Sequence, residues 1–212
     1  MNNVPKLYFK ITNEKEKHHG FQYCDGLNVL TDEFNDDPKA TCVAGGFYFT
    51  DAEHILEFLV YGIYLREVML PTDDPDFKII KDENKWRANK IILGKKRDLN
   101  NVSTFQYLID QGADIHIGND NTIIWASGAG YLEIVQFLIS KGANIHADND
   151  SAVKIAFHNG HSEVVRFLIS EGANMNSSTN NYIIKLAQKK NIYRYRAIPS
   201  TKYKIITFNK KN

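Results

Sequence analysis

The stretch Gly112-Ala113-Asp114-Ile115-His116 returns thirty residues later as Gly142-Ala143-Asn144-Ile145-His146, and after the same interval as Gly172-Ala173-Asn174-Met175-Asn176. Self-similarity at a fixed interval marks a repeat architecture, in which units too small to bury their own apolar faces must stack on neighbours. The residues ahead of each glycine repeat as well: Phe105-Gln106-Tyr107-Leu108-Ile109, Gln136-Phe137-Leu138-Ile139 and Arg166-Phe167-Leu168-Ile169. Further upstream, Gly130-Tyr131-Leu132-Glu133-Ile134-Val135 matches Gly160-His161-Ser162-Glu163-Val164-Val165. Ile134, Val135, Phe137, Leu138 and Ile139 fall at helical spacing and make one apolar face. Gly142 follows Ser140-Lys141, where a helix can stop in the left-handed conformation that glycine tolerates. Ala143 is small enough for close packing, Ile145 points back towards the stack, and Gly130 and Gly160 mark turns between paired helices. Ala126 and Ala156 mark the close-packed inner helix of each pair.

This pattern resembles the ankyrin repeat over residues 99–191. The resemblance implies a β-turn, two antiparallel helices and a loop per unit, hence an all-α stack. Two full repeats, 112–141 and 142–171, are flanked by a half repeat at 99–111 and a degenerate one at 172–191. In the last, Ile183-Ile184-Lys185-Leu186-Ala187 restores an inner helix, and Lys189, Lys190 and Asn191 replace the apolar second helix, as a terminal cap requires. The interval of 30 is shorter than the usual ~33, and the shortfall lies in the β-hairpin finger. The usual Thr-Pro-Leu-His opening is replaced by Asn121-Thr122-Ile123-Ile124 and Ser151-Ala152-Val153-Lys154, where Asn121 and Ser151 can still cap the helix through a side-chain oxygen. Ankyrin stacks recognise protein partners through the concave face of the inner helices and the fingers. That places partner binding on Asp114, Asn119, Trp125, Asn144, Asp148 and Lys154. Trp125 reads first as core packing and second as an aromatic anchor on the concave face, and His116, His146, His158 and His161 read as structural or surface residues, His161 bonding across its loop.

Residues 1–98 do not repeat. Leu7-Tyr8-Phe9-Lys10-Ile11 and Gly46-Phe47-Tyr48-Phe49-Thr50 are aromatic, strand-forming runs, separated by the turn sequences Asp25-Gly26 and Asn35-Asp36-Asp37-Pro38. Asp51 is placed to cap a helix over 53–60 carrying Ile55, Leu56, Phe58 and Leu59. Residues 64–70 alternate as a strand and 86–93 predict another, leading through Gly94-Lys95-Lys96-Arg97 into the first repeat helix. The expectation is an α+β domain over 1–98, against which the short stack leans. Lys17-His18-His19-Gly20-Phe21-Gln22-Tyr23-Cys24-Asp25-Gly26-Leu27-Asn28, Cys42-Val43-Ala44-Gly45-Gly46-Phe47-Tyr48-Phe49-Thr50 and Lys85-Trp86-Arg87-Ala88-Asn89 resemble the N-terminal module of ankyrin repeat proteins from giant DNA viruses of the mimivirus type. The resemblance implies a lineage, a host or viral protein as partner and a host-cytoplasmic location; it implies no chemistry.

Charge is unevenly spread. Residues 1–100 carry a net −3, residues 101–171 a net −5, and residues 172–212 a net +9 with no acid. The basic end, 192–212, interleaves Arg194, Arg196, Lys202, Lys204, Lys210 and Lys211 with Tyr193, Tyr195, Tyr203 and Phe208. Such a segment can hold nucleic acid by phosphate contacts and base stacking, or be a solvated end with a strand at 203–208; the bland reading leads. No run approaches the ~18 apolar residues of a membrane span, Met1-Asn2-Asn3-Val4-Pro5-Lys6 lacks a secretory apolar run, and two cysteines fit a reducing, intracellular setting.

No motif calls for a catalytic residue, a metal or a cofactor. His18, His19, Cys24, Cys42 and His54 lack the tight pairs of a zinc site. Gly45-Gly46 lacks the flanking residues of a phosphate loop, and neither cysteine sits in a nucleophile signature. The leading reading is a non-enzymatic protein-interaction module. The rival reading, an enzyme targeted by the repeats, predicts a deep pocket in which polar groups from His18, Tyr23, Cys42, His54 or Glu67 converge.

Overall fold

The computed structural model describes residues 6–175 and, beyond them, the backbone of two strands, Arg194–Ile198 and Ile205–Asn209. The chain divides into two compact units, Met1–Trp125 and Ala126–Asn212.

The first unit is built on a seven-stranded antiparallel sheet. Its strands are β1 (Tyr8–Thr12), β4 (Gly26–Val29), β5 (Phe47–Thr50), β6 (Tyr64–Met69), β7 (Ile79–Asp82), β8 (Lys85–Ala88) and β9 (Lys90–Asp98), in the order β4-β9-β6-β1-β5-β8-β7. Two further short strands, β2 (Lys17–His18) and β3 (Phe21–Gln22), form a small hairpin of their own. Side chains alternate across a strand, so Phe9 and Ile11 face one side of β1 while Tyr8, Lys10 and Thr12 face the other. On the Tyr8 side an aromatic core forms from Tyr23, Phe47, Phe49, Val68, Ala88, Ile91 and Leu93, with Phe21, Leu30 and Trp86 packed against it. Tyr8 meets Phe49 and Trp86 edge-on at centroid distances of 5.3 and 5.1 Å, the geometry aromatic quadrupoles favour.

Four of the expected elements form near their predicted places; three details differ. Residues 53–60 wind as a 3-10 helix, Ile55–Tyr61, whose N-cap is His54 without a side-chain cap bond. Asp51 does not cap it, because its Oδ1 lies 2.8 Å from His54 Nδ1 instead. The run 86–93 is two strands, since Asn89 turns the chain: its backbone N–H bonds Lys78 O and its Nδ2 bonds Asp76 O. Gly94-Lys95-Lys96-Arg97 then continues β9 along β6, with Lys96 opposite Arg66 and Arg97 opposite Leu65, so this basic run is a paired strand and not a linker.

The first helix, α1 (Val102–Asp110), belongs to this unit. Asn101 caps it by accepting from the Ser103 amide. Tyr107 fastens it to the sheet: its hydroxyl donates to Glu67 Oε1 at 2.7 Å, its ring lies 3.7 Å from the Arg97 guanidinium carbon, and Arg97 Nη2 reaches the same Glu67 oxygen at 3.0 Å. Burial and Glu67 push the Tyr107 hydroxyl above its ordinary value, against the opposing charge of Arg97.

Among the described residues four more helices follow: α2 (Ile117–Ala129), α3 (Leu132–Ser140), α4 (Ala147–His158) and α5 (Ser162–Ser170). The second unit holds the end of α2 and α3–α5, with α5 packed against both α4 and α3. Val135, Leu138, Val165 and Leu168 are buried, as their spacing requires, and so are Ala126, Ala143, Ala156 and Ala173. Each outer helix ends on its glycine at φ near +100°. The glycine N–H bonds the carbonyl of Ile109, Ile139 or Ile169, and the following alanine N–H bonds that of Leu108, Leu138 or Leu168. This double closure is the Schellman motif.

The shortened fingers are replaced by a left-handed turn. Gly118, Asn119 and Asp120 all have φ near +60°, and Asp148, Asn149 and Asp150 do the same, interrupting α2 and α4 near their starts. Ser151 therefore does not cap its helix; its hydroxyl donates to the carbonyl and carboxylate of Asp148. The predicted inner helix at 183–187 and the polar cap at 189–191 lie outside the described residues. In the basic end, Arg194–Ile198 and Ile205–Asn209 pair antiparallel; Tyr193, Lys202, Tyr203, Lys204, Lys210 and Lys211 lie outside the description.

Candidate functional site

The six residues assigned to partner binding fall in both units. In the first, Asp114 and Asn119 are exposed, and Asp114 Oδ1 accepts the His116 amide at 2.9 Å. Trp125 is half-buried with its ring 6.1 Å from that of Phe105, so packing claims part of it. In the second, Asn144, Asp148 and Lys154 are all exposed. Asn144 Oδ1 accepts the His146 amide at 2.9 Å, and Lys154 Nζ donates to the Asn149 carbonyl across the left-handed turn.

The histidines explain how these turns are held. His116 Nδ1 lies 2.9 Å from Asp120 Oδ1 and His146 Nδ1 lies 2.7 Å from Asp150 Oδ1, one pair in each unit. Asp150 Oδ1 also accepts the amide of Asn174, in the turn that follows. Burial pushes the Asp150 carboxyl up, but the Asn174 amide and His146 outweigh it and hold the group below its ordinary value. His161 Nε2 sits 3.0 Å from the Gly128 carbonyl, which Asn159 Nδ2 also reaches at 2.7 Å, so two donors from one repeat close the end of the helix before it. The histidine bonds across repeats, and not within its own loop. Beside these residues an open hollow of about 650 Å3 is lined by Asn149, Lys154, Phe157, His158 and Asn174.

The first unit holds a second feature that the sequence did not announce. β1 pairs with β5 at one position only, Phe9 with Thr50, so the two strands part beyond it. A cavity of about 550 Å3 involves these parting strands, the β2–β3 hairpin, the 42–46 loop and the 3-10 helix. Its walls are aromatic, with Phe21, Tyr23, Phe47, Phe49, Phe58 and Tyr61 among them. His18, Tyr23 and Cys42 line it, as the enzyme reading required, but His54 and Glu67 do not: they are held by Asp51 and by Tyr107 with Arg97. Cys24 and Cys42 are both free and exposed. Among the described residues no group of three or more His, Cys, Asp or Glu side chains is placed to hold a metal ion.

The loops on the cavity rim are fixed by Arg87 and Tyr48. Arg87 is fully buried and donates to the carbonyls of Asn35, Asp37 and Ala40. The Tyr48 hydroxyl bonds both the amide and the carbonyl of Val43 at 2.9 Å. The rim is therefore held before anything enters.

Lys10 is the residue that sequence reasoning missed. It is 8% exposed, its Nζ donates to the Tyr48 carbonyl at 2.9 Å and stands 4.9 Å from the Tyr23 ring centroid, and no carboxylate among the described residues forms an ion pair with it. Burial pushes its ammonium down to about 8. The available signal was a lysine enclosed by Tyr8, Phe9, Ile11 and Thr12 in a strand that is otherwise apolar or buried. His18 is also held below its ordinary value by burial, then by the charges of Lys10 and His19.

Comparison with known proteins agrees with the repeats. The family model for ankyrin repeats matches residues 96–179. Among curated relatives from Acanthamoeba polyphaga mimivirus, one named as ankyrin repeat protein R868 is 54% identical over 132 residues, covering 61% of this chain and 65% of its own length. Uncharacterised protein R869 is 53% identical over 131 residues, covering 61% of this chain and 95% of its own length. A third, named as ankyrin repeat protein R229, is 44% identical over 143 residues, covering 61% of this chain and 46% of its own length. The chain thus spans under two thirds of the first and third of these relatives. No solved structure is significantly similar. Matches longer than the 96–179 stretch also take in residues outside the repeats. No helix among the described residues is long and apolar enough to cross a membrane. On these matches, the chain carries ankyrin repeats and is similar to the ankyrin repeat proteins of mimivirus.

Proposed function

We propose that this chain is a protein-interaction module without catalytic activity of its own, and that its repeats bind a host or viral protein. The observation that carries the reading is the outward face of α4. There Phe157 is 38% exposed, amid Asn149, Lys154 and His158 and on the same helix as the exposed Asp148. An exposed aromatic ringed by polar side chains has the make-up of a recognition surface. The ankyrin family supports it, because such stacks generally mediate protein–protein contacts.

A photo-crosslinking side chain at position 154, used in lysate of virus-infected host cells, tests this. A defined partner should cross-link to the full chain and be lost on Asp148→Asn with Phe157→Ala, a pair that keeps the turn conformation. Undiminished cross-linking by the correctly folded double variant refutes the assignment.

A further inference from the structure

We propose that the cavity between β1 and β5 is a binding site for a small aromatic monoanion, a carboxylate on a planar apolar body, with Lys10 as its anchor. This does not depend on the repeats and adds a ligand to a chain otherwise read as a protein binder.

Three observations carry it. The first is the way the sheet opens. A central pair of strands joined at one register position costs backbone hydrogen bonds that a continuous ladder would supply. The space so opened is about 550 Å3, within the range of small-molecule pockets, ~300–1,000 Å3. The second is Lys10. An ammonium carries three donors, and this one spends one on the Tyr48 carbonyl while its side chain is more than nine-tenths buried. An unpaired buried cation is costly, and an anion at the remaining donors would relieve it. The third is the wall. Phe21, Tyr23, Phe47 and Phe49 present ring faces and edges suited to a planar apolar body.

Charge sets the class. Of the other cations on the wall, Lys85 is 3.7 Å from Asp82, which it shares with Arg87, and burial favours neutral His18. Asp32 on the same wall adds a negative charge. Lys10 is thus the one wall lysine without a carboxylate partner among the described residues, and a single ammonium beside Asp32 favours a monoanion over a phosphate dianion.

The experiment compares 2-naphthoate with 2-naphthylmethanol, the same body without charge, by titration calorimetry on the full chain at pH 7. The carboxylate should bind at least tenfold more tightly than the alcohol. Lys10→Met should erase that difference while leaving alcohol binding within about twofold, which also shows that the cavity still folds. A second measurement uses the unmodified chain: carboxylate affinity should fall between pH 7.5 and 9.5 while alcohol affinity stays level. The titratable groups on the wall beside Lys10 are His18, His19, Tyr23, Asp32, Cys42, Tyr48, Tyr61 and Lys85. Tyr23 is pushed up by burial, and Lys85 is held above its ordinary value by Cys42 and Asp82 against the effect of burial. Cys42→Ser removes the thiol and should leave the fall in place. Equal affinity for the two compounds, no binding of either, or a carboxylate preference that survives Lys10→Met would each overturn the proposal.

Discussion

Replacing Lys10 by methionine should make the ligand-free chain more stable at neutral pH, although it removes a hydrogen bond. The ammonium falls from an ordinary 10.5 to about 8 through burial alone. At ~1.4 kcal/mol per pH unit, that difference corresponds to roughly 3 kcal/mol lost by holding the charge in the folded chain. Methionine keeps an unbranched stem and carries no charge, but leaves the Tyr48 carbonyl without its donor, at a cost of about 1 kcal/mol. The net expectation at pH 7 is a gain of about 2 kcal/mol. The pH dependence follows from the direction of the shift. Between about 8 and 10.5 the unfolded chain still binds the Lys10 proton and the folded chain has released it, so the native protein gains stability as pH rises. The penalty is complete below this window and gone above it, where the variant should be the less stable of the two by about 1 kcal/mol. Urea unfolding of both proteins from pH 6.5 to 9.5 measures it, staying below the range in which Tyr23 ionises. A native stability that does not rise between pH 7.5 and 9.5, or a variant destabilised by more than ~1 kcal/mol at pH 7, refutes the reasoning about an uncompensated buried charge.

Two predictions concern the repeats. Gly130 has φ +79°, and a Cβ there would stand 2.5 Å from His161 Nδ1. Gly130→Ala should therefore cost roughly 2–3 kcal/mol by thermal unfolding, about 1 kcal/mol of it from displacing the His161 bond; in a His161→Ala background the cost should shrink, and strict additivity argues against the contact. Asp150 is depressed below its ordinary 3.8, so its contribution is present above that value and lost as pH falls through the lower, folded value. Hydrogen-exchange protection of the Asn174 amide should accordingly fall as the carboxylate is protonated. In Asp150→Asn it should be weak and independent of pH from 5 to 2; strong protection in that variant counts against the Asp150 grip.

The repeats were legible in the sequence because their code is periodic: a 30-residue interval, a glycine stop and an alanine behind it fix helix ends and packing faces without any long-range knowledge. The left-handed triplets were not, although Gly118-Asn119-Asp120 and Asp148-Asn149-Asp150 consist wholly of residues that tolerate positive φ. A residue deficit says that a finger is shorter and not what replaces it. In the first unit, strands rich in Phe, Tyr and Ile declared themselves, while Gly26–Val29 and Ile79–Asp82 form because a neighbouring strand pairs with them. The basic run 94–97 looked like a linker because its charges say nothing of the ladder bonds its backbone makes with β6. Lys10 was legible as a lysine in a buried strand but not as a site, for a related reason. Its meaning depends on β5 leaving β1 after one pair, and the β1 sequence carries no trace of that.

The left-handed triplets also limit how this chain can diversify. A backbone held at φ near +60° over three residues admits little beyond glycine, asparagine and aspartate. The tips of these repeats are thus written in an alphabet of three letters, too few to spell many different partners. Helical positions such as 154, 157 and 158 carry no such restriction. Variation that retargets a chain of this design should accumulate there, while the tips stay nearly constant from one target to the next.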